Sequence, residues 1–346
     1  MSTAFDITPE RRASQLHFYY RQLFVTPPPV SPHDADLGGK TAVVTGSNGG
    51  LGLETARQLL DLGANVILAV RDEEKGKLAR LDLAKGRDLS PESIQVWKLD
   101  LSSYESIIAF AERAKDLEHL DIAILNAGVF KVEEAFNSVT GFEESMQINY
   151  LSTMLLTILL LSIIKDKKIG SGPGHICIVG SEAAAWAKFE QRTSNPLLPA
   201  FKQKSAKWEI GEAYKTSKLL GQLFLTELVK HVSASVVTIS NVSPGFCAGS
   251  EIGREITGLI ALLFKIQYIL LARTSAVGAR SMVHAVTTLA DKAHGQYIED
   301  AKIQPMAVVV YKPEGLRLAK QLYEETLDEL SFVGIRDIIE EISKLK

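Results

Sequence analysis

The sequence of 346 residues predicts an α/β fold, a single doubly wound parallel sheet with helices on both faces. Short apolar runs alternate with segments of helical pattern, and runs this short and this apolar are typical of strands buried on both faces. We expect the sheet domain to span residues 38–310. The predicted strands lie at 41–45, 65–70, 93–99, 122–125, 176–179 and 236–242.

Two flanking segments are expected to lie outside this domain. Residues 1–37 form an N-terminal extension, with a short amphipathic helix at 11–24 and then a proline-rich linker, since a proline run favours extended backbone. Residues 311–346 form a helical, charged tail, to which no function is assigned.

Composition excludes some functions and indicates a compartment. The chain is 46% hydrophobic and 23% charged, and its net charge of -3, without a basic cluster, gives no case for nucleic-acid binding. Cys177 and Cys247 lie far apart in apolar surroundings and lack metal-ligand spacing. We expect buried thiols in a reducing, cytoplasmic compartment and no metal site, with a disulfide between them as the alternative.

No transmembrane span is expected. The N-terminus carries charges and no uninterrupted apolar region, so it does not resemble a secretory signal. The apolar stretch at 151–164 is too short for a span and suits a buried helix. A second stretch, 256–272, is interrupted by Lys265 and Gln267.

A glycine-rich turn follows the first strand. Residues 45–52 have the pattern TGxxxGxG, between a predicted strand and a helix at 51–62. Glycine permits positive φ and close backbone approach, and the N-terminus of a helix offers free N–H groups to a pyrophosphate. The turn therefore predicts a dinucleotide site, with a turn that binds nothing as the alternative.

The end of the second strand indicates which dinucleotide. An acidic side chain there would accept a hydrogen bond from the ribose 2′-hydroxyl, whereas an arginine accommodates a 2′-phosphate. Arg71 comes first and Asp72 second. This order favours NADP(H) over NAD(H).

Tyr214 and Lys218 are four residues apart, which on a helix places them on one face. Both ordinarily titrate above pH 9, so neither alone suits acid–base work at neutral pH. A lysine charge beside the phenol favours the phenolate, so we expect Lys218 to lower the pKa of Tyr214. An ordinary surface helix is the alternative.

These motifs, in this order, resemble the short-chain dehydrogenase/reductase family across residues 38–300, and the resemblance implies a Rossmann-type fold. Within the family, residues 71–76 look like those of retinol-dehydrogenase-like enzymes and of reductases of fungal secondary metabolism. The motifs are the glycine turn, Asp100, Asn126-Ala127-Gly128, Asn149, Ser181, Tyr214 with Lys218, and Pro244-Gly245.

The resemblance implies a role for each position. Tyr214 would exchange a proton with the substrate oxygen, Lys218 would bind the nicotinamide ribose, Ser181 would hydrogen-bond the carbonyl, and Asn149 would hold a water. The expected cofactor-binding residues are Gly46, Ser47, Asn48, Gly50, Leu51, Gly52, Arg71, Asp100, Leu101, Asn126, Ala127, Gly128, Tyr214, Lys218, Pro244 and Gly245.

Several of these residues have a purely structural alternative. Asn149 and Ser181 could each cap a following helix, and Thr45 could hydrogen-bond across the sheet. The chain also departs from the family pattern, because Gly249 stands where many members have a nicotinamide-binding Thr or Ser, with Ser250 following. A long insert between Ser181 and Tyr214 is expected to build part of the substrate entrance.

The segment from about 245 to 285 is expected to form a lid over a hydrophobic alcohol or carbonyl substrate. Ordinary core, a dimer face or a peripheral helix on a membrane surface are the alternatives. The resemblance also allows a homodimer paired through the helix at 151–164 and the Tyr214 helix. The favoured function is an NADP(H)-dependent oxidoreductase, against a non-catalytic cofactor-binding protein and an epimerase or dehydratase.

Overall fold

The computed structural model describes residues 5–170, 172–249 and 268–345, and one sheet crosses it. The strand order is β3-β2-β1-β4-β5-β6-β7-β8, with parallel pairing throughout except for the antiparallel β7–β8 pair. The fold class predicted from the sequence is confirmed. The strands are β1 Thr41–Thr45, β2 Asn65–Val70, β3 Ile94–Lys98, β4 Ile122–Leu125, β5 Gly174–Val179, β6 Val237–Ser243, β7 Tyr297–Glu299 and β8 Lys302–Gln304.

Helices cover both faces because side chains alternate along each strand. In β1, Val43 points into one core, and Ala42 and Val44 point into the other. Helices α3, α4 and α8 pack on one face, and α5, α6 and α7 on the opposite face. The helices are α1 Pro9–Arg12, α2 Gln15–Phe24, α3 Gly50–Asp61, α4 Glu73–Ala84, α5 Tyr104–Ala114, α6 Glu144–Lys167, α7 Glu212–Leu228, α8 Ser275–Val286, α9 Pro313–Glu329 and α10 Ile335–Ser343.

Helix α6 is the one helix in the described part of the chain that is long and apolar enough to cross a membrane. Most of its apolar window, 83%, is buried inside the protein. It is apolar on all sides because the sheet lies on one side and other helices lie on the others. It is thus a core helix, as the sequence predicted for 151–164.

The N-terminal extension contains helix, as predicted for residues 11–24, and it packs on the sheet domain. Its helix is two helices, since Ser14 caps α2 by accepting a hydrogen bond from the His17 N–H. The proline run lies against α8, where the Pro27 carbonyl accepts from Arg280 and the Pro28 carbonyl bonds His284. The boundary predicted at residue 37 therefore does not separate two bodies.

The C-terminal tail, predicted as a segment outside the sheet domain, packs on that domain and shares its core. Leu318, Leu322 and Leu327 of α9 and Ile339 of α10 are buried in the same core as α6 and α7. Their helical spacing makes one apolar face, which packs on the outer side of α6 and α7. The surfaces through which pairing was expected are therefore covered by the chain's own tail.

Only parts of the expected lid lie within the described residues. Residues 275–286 are helix α8, whose Ala279, Met282 and Val283 are fully buried against α3, so this part is core and not lid. Ser250 and the apolar residues expected at 259–264 lie outside the described residues.

Candidate active site

The glycine turn lies between β1 and α3, as predicted. Gly46 has φ +64°, and a Cβ on Gly52 would lie 2.4 Å from the Gly46 carbonyl oxygen, so the first helical turn packs directly on the loop. Helix α3 begins at Gly50 without any side-chain cap, which leaves its first N–H groups available to a ligand. These features fit the pyrophosphate of a dinucleotide.

The other residues of the turn divide between exposed and buried. Asn48 and Leu51 are partly exposed, and Leu51 also packs on the core. Ser47 is fully buried, and its hydroxyl donates to the Val44 carbonyl at 2.8 Å. Its side chain therefore supports the turn from inside.

The end of β4 is fastened to the end of β1, where the strand order reverses. The Asn126 side-chain amide donates to the Thr45 carbonyl at 2.9 Å, and the Ala127 N–H donates to the Thr45 hydroxyl at 2.9 Å. Thr45 thus has the structural role that the sequence left open. Ligands of doubly wound sheets bind at this reversal, outside the carboxyl ends of the strands.

The segment after β3 holds Asp100 at the surface edge and Leu101 in the core. The Asp100 carboxylate accepts from the Ser102 N–H and hydroxyl, at 2.9 and 2.7 Å. Leu101 is 7% exposed, and its carbonyl accepts from Ser152. Contact of either residue with an adenine remains a prediction.

At the end of β2, the two candidate residues for cofactor choice have different surroundings. Asp72 caps α4, and its carboxylate accepts from the N–H groups of Glu74 and Lys75, both at 3.1 Å. Arg71 is exposed, and no ion pair of its guanidinium occurs within the described residues. Lys98 donates to the Arg71 carbonyl, which adds a second cation at this edge.

Tyr214 and Lys218 lie on one face of α7, as predicted, and Ser181 lies beside them after β5. Burial raises the pKa of Tyr214 to about 12, a hydrogen bond with the Ser181 side chain opposes the rise, and the Glu182 carboxylate adds to it. The expectation that Lys218 lowers this pKa is wrong for this structure.

The position of Lys218 explains the difference. Its ammonium group donates to the Val179 carbonyl at 2.7 Å and lies 5.7 Å from the centroid of the Tyr214 ring. Lys218 is 8% exposed, and burial lowers its own pKa to about 8. Burial therefore makes the lysine a stronger acid than an ordinary lysine side chain.

Asn149 lies within α6, in a π-helical stretch, Gln147–Ser152, and does not cap a helix. Its carbonyl oxygen accepts from the Val129 N–H at 2.8 Å, and its amide donates to the Val129 carbonyl and the Ser217 hydroxyl. A Cβ on Gly128 would lie 3.0 Å from the Asn149 carbonyl oxygen and 3.6 Å from the Lys218 ammonium. The π stretch thus brings Asn149 close to Lys218, and such stretches are often found at functional sites.

Ser181 has the capping role that was the structural alternative for it, and its hydrogen bond to a substrate carbonyl stays a prediction. It caps a short 3-10 helix, Glu182–Trp186, by accepting from the Ala183 N–H at 3.1 Å. Its side chain also lies beside Tyr214, where it opposes the rise of the phenol pKa. The turn of β5 into this helix therefore places the serine at the phenol.

The Pro244-Gly245 turn follows β6 at the same edge of the sheet. Gly245 has φ +77°, and its N–H donates to the Ser243 hydroxyl. Gly249 also lies within the described residues, and its N–H donates to the Tyr268 hydroxyl. Both cysteines are buried thiols and no disulfide joins them, so that alternative is wrong.

Three contacts at the site were not predicted from the sequence. The Phe130 ring lies 5.5 Å from the Tyr214 ring, centroid to centroid. Gln22 of α2 bonds the backbone of Phe246, two residues beyond Pro244. The insert bonds the short connection between α1 and α2, because the Trp186 indole donates to the Ala13 carbonyl. An aromatic residue two positions after Gly128 of the Asn126-Ala127-Gly128 motif was the one local signal.

The fold and the site together define a nucleotide-binding α/β oxidoreductase. The short chain dehydrogenase family model matches residues 40–192. The short-chain dehydrogenase fogG of Aspergillus ruber is 55% identical over 99% of this chain and 100% of its own length. The short chain dehydrogenase/reductase mfmJ of Annulohypoxylon moriforme is 41% identical over 93% of both chains. The chain therefore belongs to the short-chain dehydrogenase/reductase family, and these relatives are fungal.

Solved structures agree at the level of the fold. An uncharacterised protein from Mycobacterium paratuberculosis covers 88% of this chain and 98% of its own, with a TM-score of 0.62 and 24% identity. The Pseudomonas aeruginosa RhlG/NADP active-site complex covers 78% of this chain and 97% of its own, with a TM-score of 0.59 and 23% identity.

Proposed function

We propose that the protein is an NADP(H)-dependent oxidoreductase that interconverts an alcohol and a carbonyl on a hydrophobic small molecule. One observation carries the proposal: Ser181, Tyr214 and Lys218 meet beside the glycine turn, at the edge where the strand order reverses. Its family supplies the general activity, and its fungal relatives support a role in fungal secondary metabolism. The two buried thiols support a cytoplasmic location.

Each residue has a defined task in this proposal. Bound nicotinamide supplies the hydride or accepts it. Tyr214 gives or takes the proton of the substrate oxygen, and Ser181 holds the same oxygen by a hydrogen bond. Lys218, whose pKa burial lowers to about 8, can pass on a proton at neutral pH, and Asn149 fixes the loop that lies over the lysine.

The end of β2 supports the proposed preference for NADP(H). Asp72 already accepts two N–H groups as the cap of α4, so its carboxylate is poorly placed to accept from a ribose. Exposed Arg71 and neighbouring Lys98 offer positive charge for a 2′-phosphate.

Apolar side chains near the site support a hydrophobic substrate. Phe130 lies against Tyr214, and Ile269 and Leu270, close to the turn after β6, are 72% and 67% exposed. Such side chains bind apolar groups or rest against a membrane surface. We favour binding of an apolar substrate group, because the ring of Phe130 contacts the ring of Tyr214.

Comparison of wild type with Tyr214→Phe tests the proposal. NADPH oxidation is measured with a panel of hydrophobic ketones and aldehydes, and NADP+ binding by calorimetry. We expect turnover in the wild type, a loss of about 100-fold or more in the variant, and unchanged binding. Unchanged turnover in the variant would refute the role of Tyr214, and binding without turnover in the wild type would favour a non-catalytic protein.

A further inference from the structure

The N-terminal segment, predicted as an extension with a short amphipathic helix and a linker, lies against the candidate active site. Phe18, Arg21 and Gln22 form the inward face of α2, and each is less than 10% exposed. The Phe18 ring meets the ring of Trp186 edge to face at 5.4 Å, five residues beyond Ser181. Helix α2 is therefore packed on the segment that carries the catalytic serine.

Gln22 uses both ends of its side-chain amide on the backbone after β6. Its nitrogen donates to the carbonyls of Phe246 and Leu271, both at 2.9 Å, and its oxygen accepts from the Phe246 N–H at 3.2 Å. Residues 246–248 and 271–273 run side by side, since the Arg273 N–H donates to the Phe246 carbonyl and the Ala248 N–H to the Arg273 carbonyl. The side-chain amide of Gln22 thus hydrogen-bonds the backbone of both stretches and joins them.

The same side chain also fills the space beside the Pro244-Gly245 turn. A Cβ on Gly245 would lie 2.7 Å from the Gln22 oxygen. The turn, in which Gly245 has φ +77°, therefore packs directly on the Gln22 side chain of α2. Glycine has more backbone freedom to lose than any other residue, so contacts such as this one help to fix the turn in one conformation.

Arg21 binds three carboxylates at once. Its guanidinium lies 3.1 Å from Glu182, 2.6 Å from Glu299 and 2.6 Å from Asp300. Glu182 is the residue after Ser181, and its N–H donates to the Ser243 hydroxyl next to Pro244. The two segments that flank the site are thereby joined through Arg21.

We infer that residues 9–24 belong to the active-site scaffold, in which Gln22 is a positioning residue for the Pro244–Phe246 turn and Arg21 for Ser181. The inference rests on the proposed function, because that function places the nicotinamide end of the cofactor against this turn. Loss of the Gln22 bonds will weaken the hold on the nicotinamide end alone, since the glycine turn and Arg71 lie at other strand ends.

Two probes separate the two ends of the cofactor. NADP+ contacts the whole site, whereas 2′-phospho-ADP-ribose lacks the nicotinamide. Gln22→Met keeps the length of the side chain and removes its hydrogen bonds, and Gln22→Glu keeps an acceptor and removes both donated bonds. Gln15→Met, on the exposed side of α2, is the control.

Calorimetry with each probe gives the Kd, and a thermal melt confirms folding. We expect both Gln22 variants to bind NADP+ about tenfold more weakly, as loss of one or two hydrogen bonds gives, and to bind 2′-phospho-ADP-ribose within twofold of wild type. Gln15→Met should match wild type with both probes.

Equal NADP+ affinity in wild type and both variants would overturn the inference, and so would an equal loss for both probes in a folded variant. If Gln22→Met does not fold, Gln22→Glu carries the comparison. Failure of the proposed function gives a different result. In that case the wild-type protein binds neither NADP+ nor 2′-phospho-ADP-ribose, and it also binds neither NAD+ nor ADP-ribose.

Discussion

The Lys218 side chain is a cation that is almost fully buried. Its folded-state pKa, about 8, lies below the ordinary value of 10.5, so the unfolded chain binds more protons between these pH values. Stability therefore rises with pH across this window. The cost of burying the charge is present in full below pH 8 and disappears above about pH 10.5.

Lys218→Met should therefore stabilise the protein while it abolishes turnover. We expect a gain of about 1–3 kcal/mol in the free energy of unfolding at pH 7, after the lost bond to the Val179 carbonyl is subtracted. The gain should shrink between pH 8 and 10.5. Urea unfolding at pH 7, 9 and 10.5 measures it.

Lys215→Met is the matched control, because Lys215 lies on the same helix, is partly exposed and pairs with Glu212. Its effect should stay within about 1 kcal/mol and show no such pH window. A loss of stability in Lys218→Met at pH 7 would mean that the Val179 bond outweighs the burial of the charge.

Arg71 decides the proposed cofactor preference. Arg71→Ala should lower kcat/KM with NADPH by about tenfold or more, the worth of a hydrogen bond to a charged group, and leave kcat/KM with NADH unchanged. Lys85→Ala removes an exposed charge at the other end of α4 and should change neither. Equal losses with both cofactors would place Arg71 away from the 2′-phosphate.

At the scale of elements, α1 and α2 complete a buried ionic cluster with the ends of the sheet. Its cations are Arg12, Arg21 and Arg273, and its carboxylates are Glu182, Glu299 and Asp300. Among the described residues the charges balance three against three, and two of the three cations come from the N-terminal segment. Burial still raises the pKa of Glu182 to about 7, against the pull of Arg21.

Arg21→Met should destabilise the protein by about 3–5 kcal/mol at pH 8, because it leaves buried carboxylates with too little positive charge. The loss should be smaller at pH 5. Glu182 titrates near 7 in the folded state, so acid neutralises part of the excess that the variant leaves. Urea unfolding at both pH values measures the difference.

Exposed Arg11 offers the control, as Arg11→Met removes the same charge from the same segment outside the cluster. Its stability should stay within about 0.5 kcal/mol of wild type at either pH. An Arg21→Met loss that is equal at pH 5 and pH 8 would indicate lost packing and not unbalanced charge.

At the scale of the whole molecule, the sequence predicted those parts whose signal is local. The runs that became β1, β2 and β4 had correct limits, and the glycine turn and the Tyr214 helix lie where their patterns placed them. The strands β7 and β8 were missed because three residues carry no alternation to read. The predicted direction of the Tyr214 pKa shift was wrong, because spacing on a helix reveals neither the burial of the phenol nor the Val179 carbonyl that binds Lys218.

The docking of the two ends of the chain was also beyond sequence reasoning. Gln22 bonds Phe246 across 224 residues, and the Tyr150 hydroxyl bonds Thr326 across 176. No periodicity encodes such pairs. The apolar faces of α2, α9 and α10 could be recognised from their spacing, but not the surface that each face would cover.

The tail leads to a prediction about association. Helices α9 and α10 cover the outer side of α6 and α7 with Leu322, fully buried, and Ile339, 5% exposed. We expect the full-length protein to have the mass of a single chain in light scattering. A glutamate at each of these two positions would be buried without a partner, so the tail should detach and expose the apolar helix faces.

Leu322→Glu with Ile339→Glu should therefore bind a dye such as ANS and self-associate, while it still binds NADP+ at the distant glycine turn. Leu316→Glu lies on the same α9 at a position 56% exposed and should remain a single chain without ANS binding. A wild type of twice the chain mass would show that pairing uses some surface other than the covered one. A double variant that stays a single chain and binds no ANS would show that the tail does not protect these helices from association.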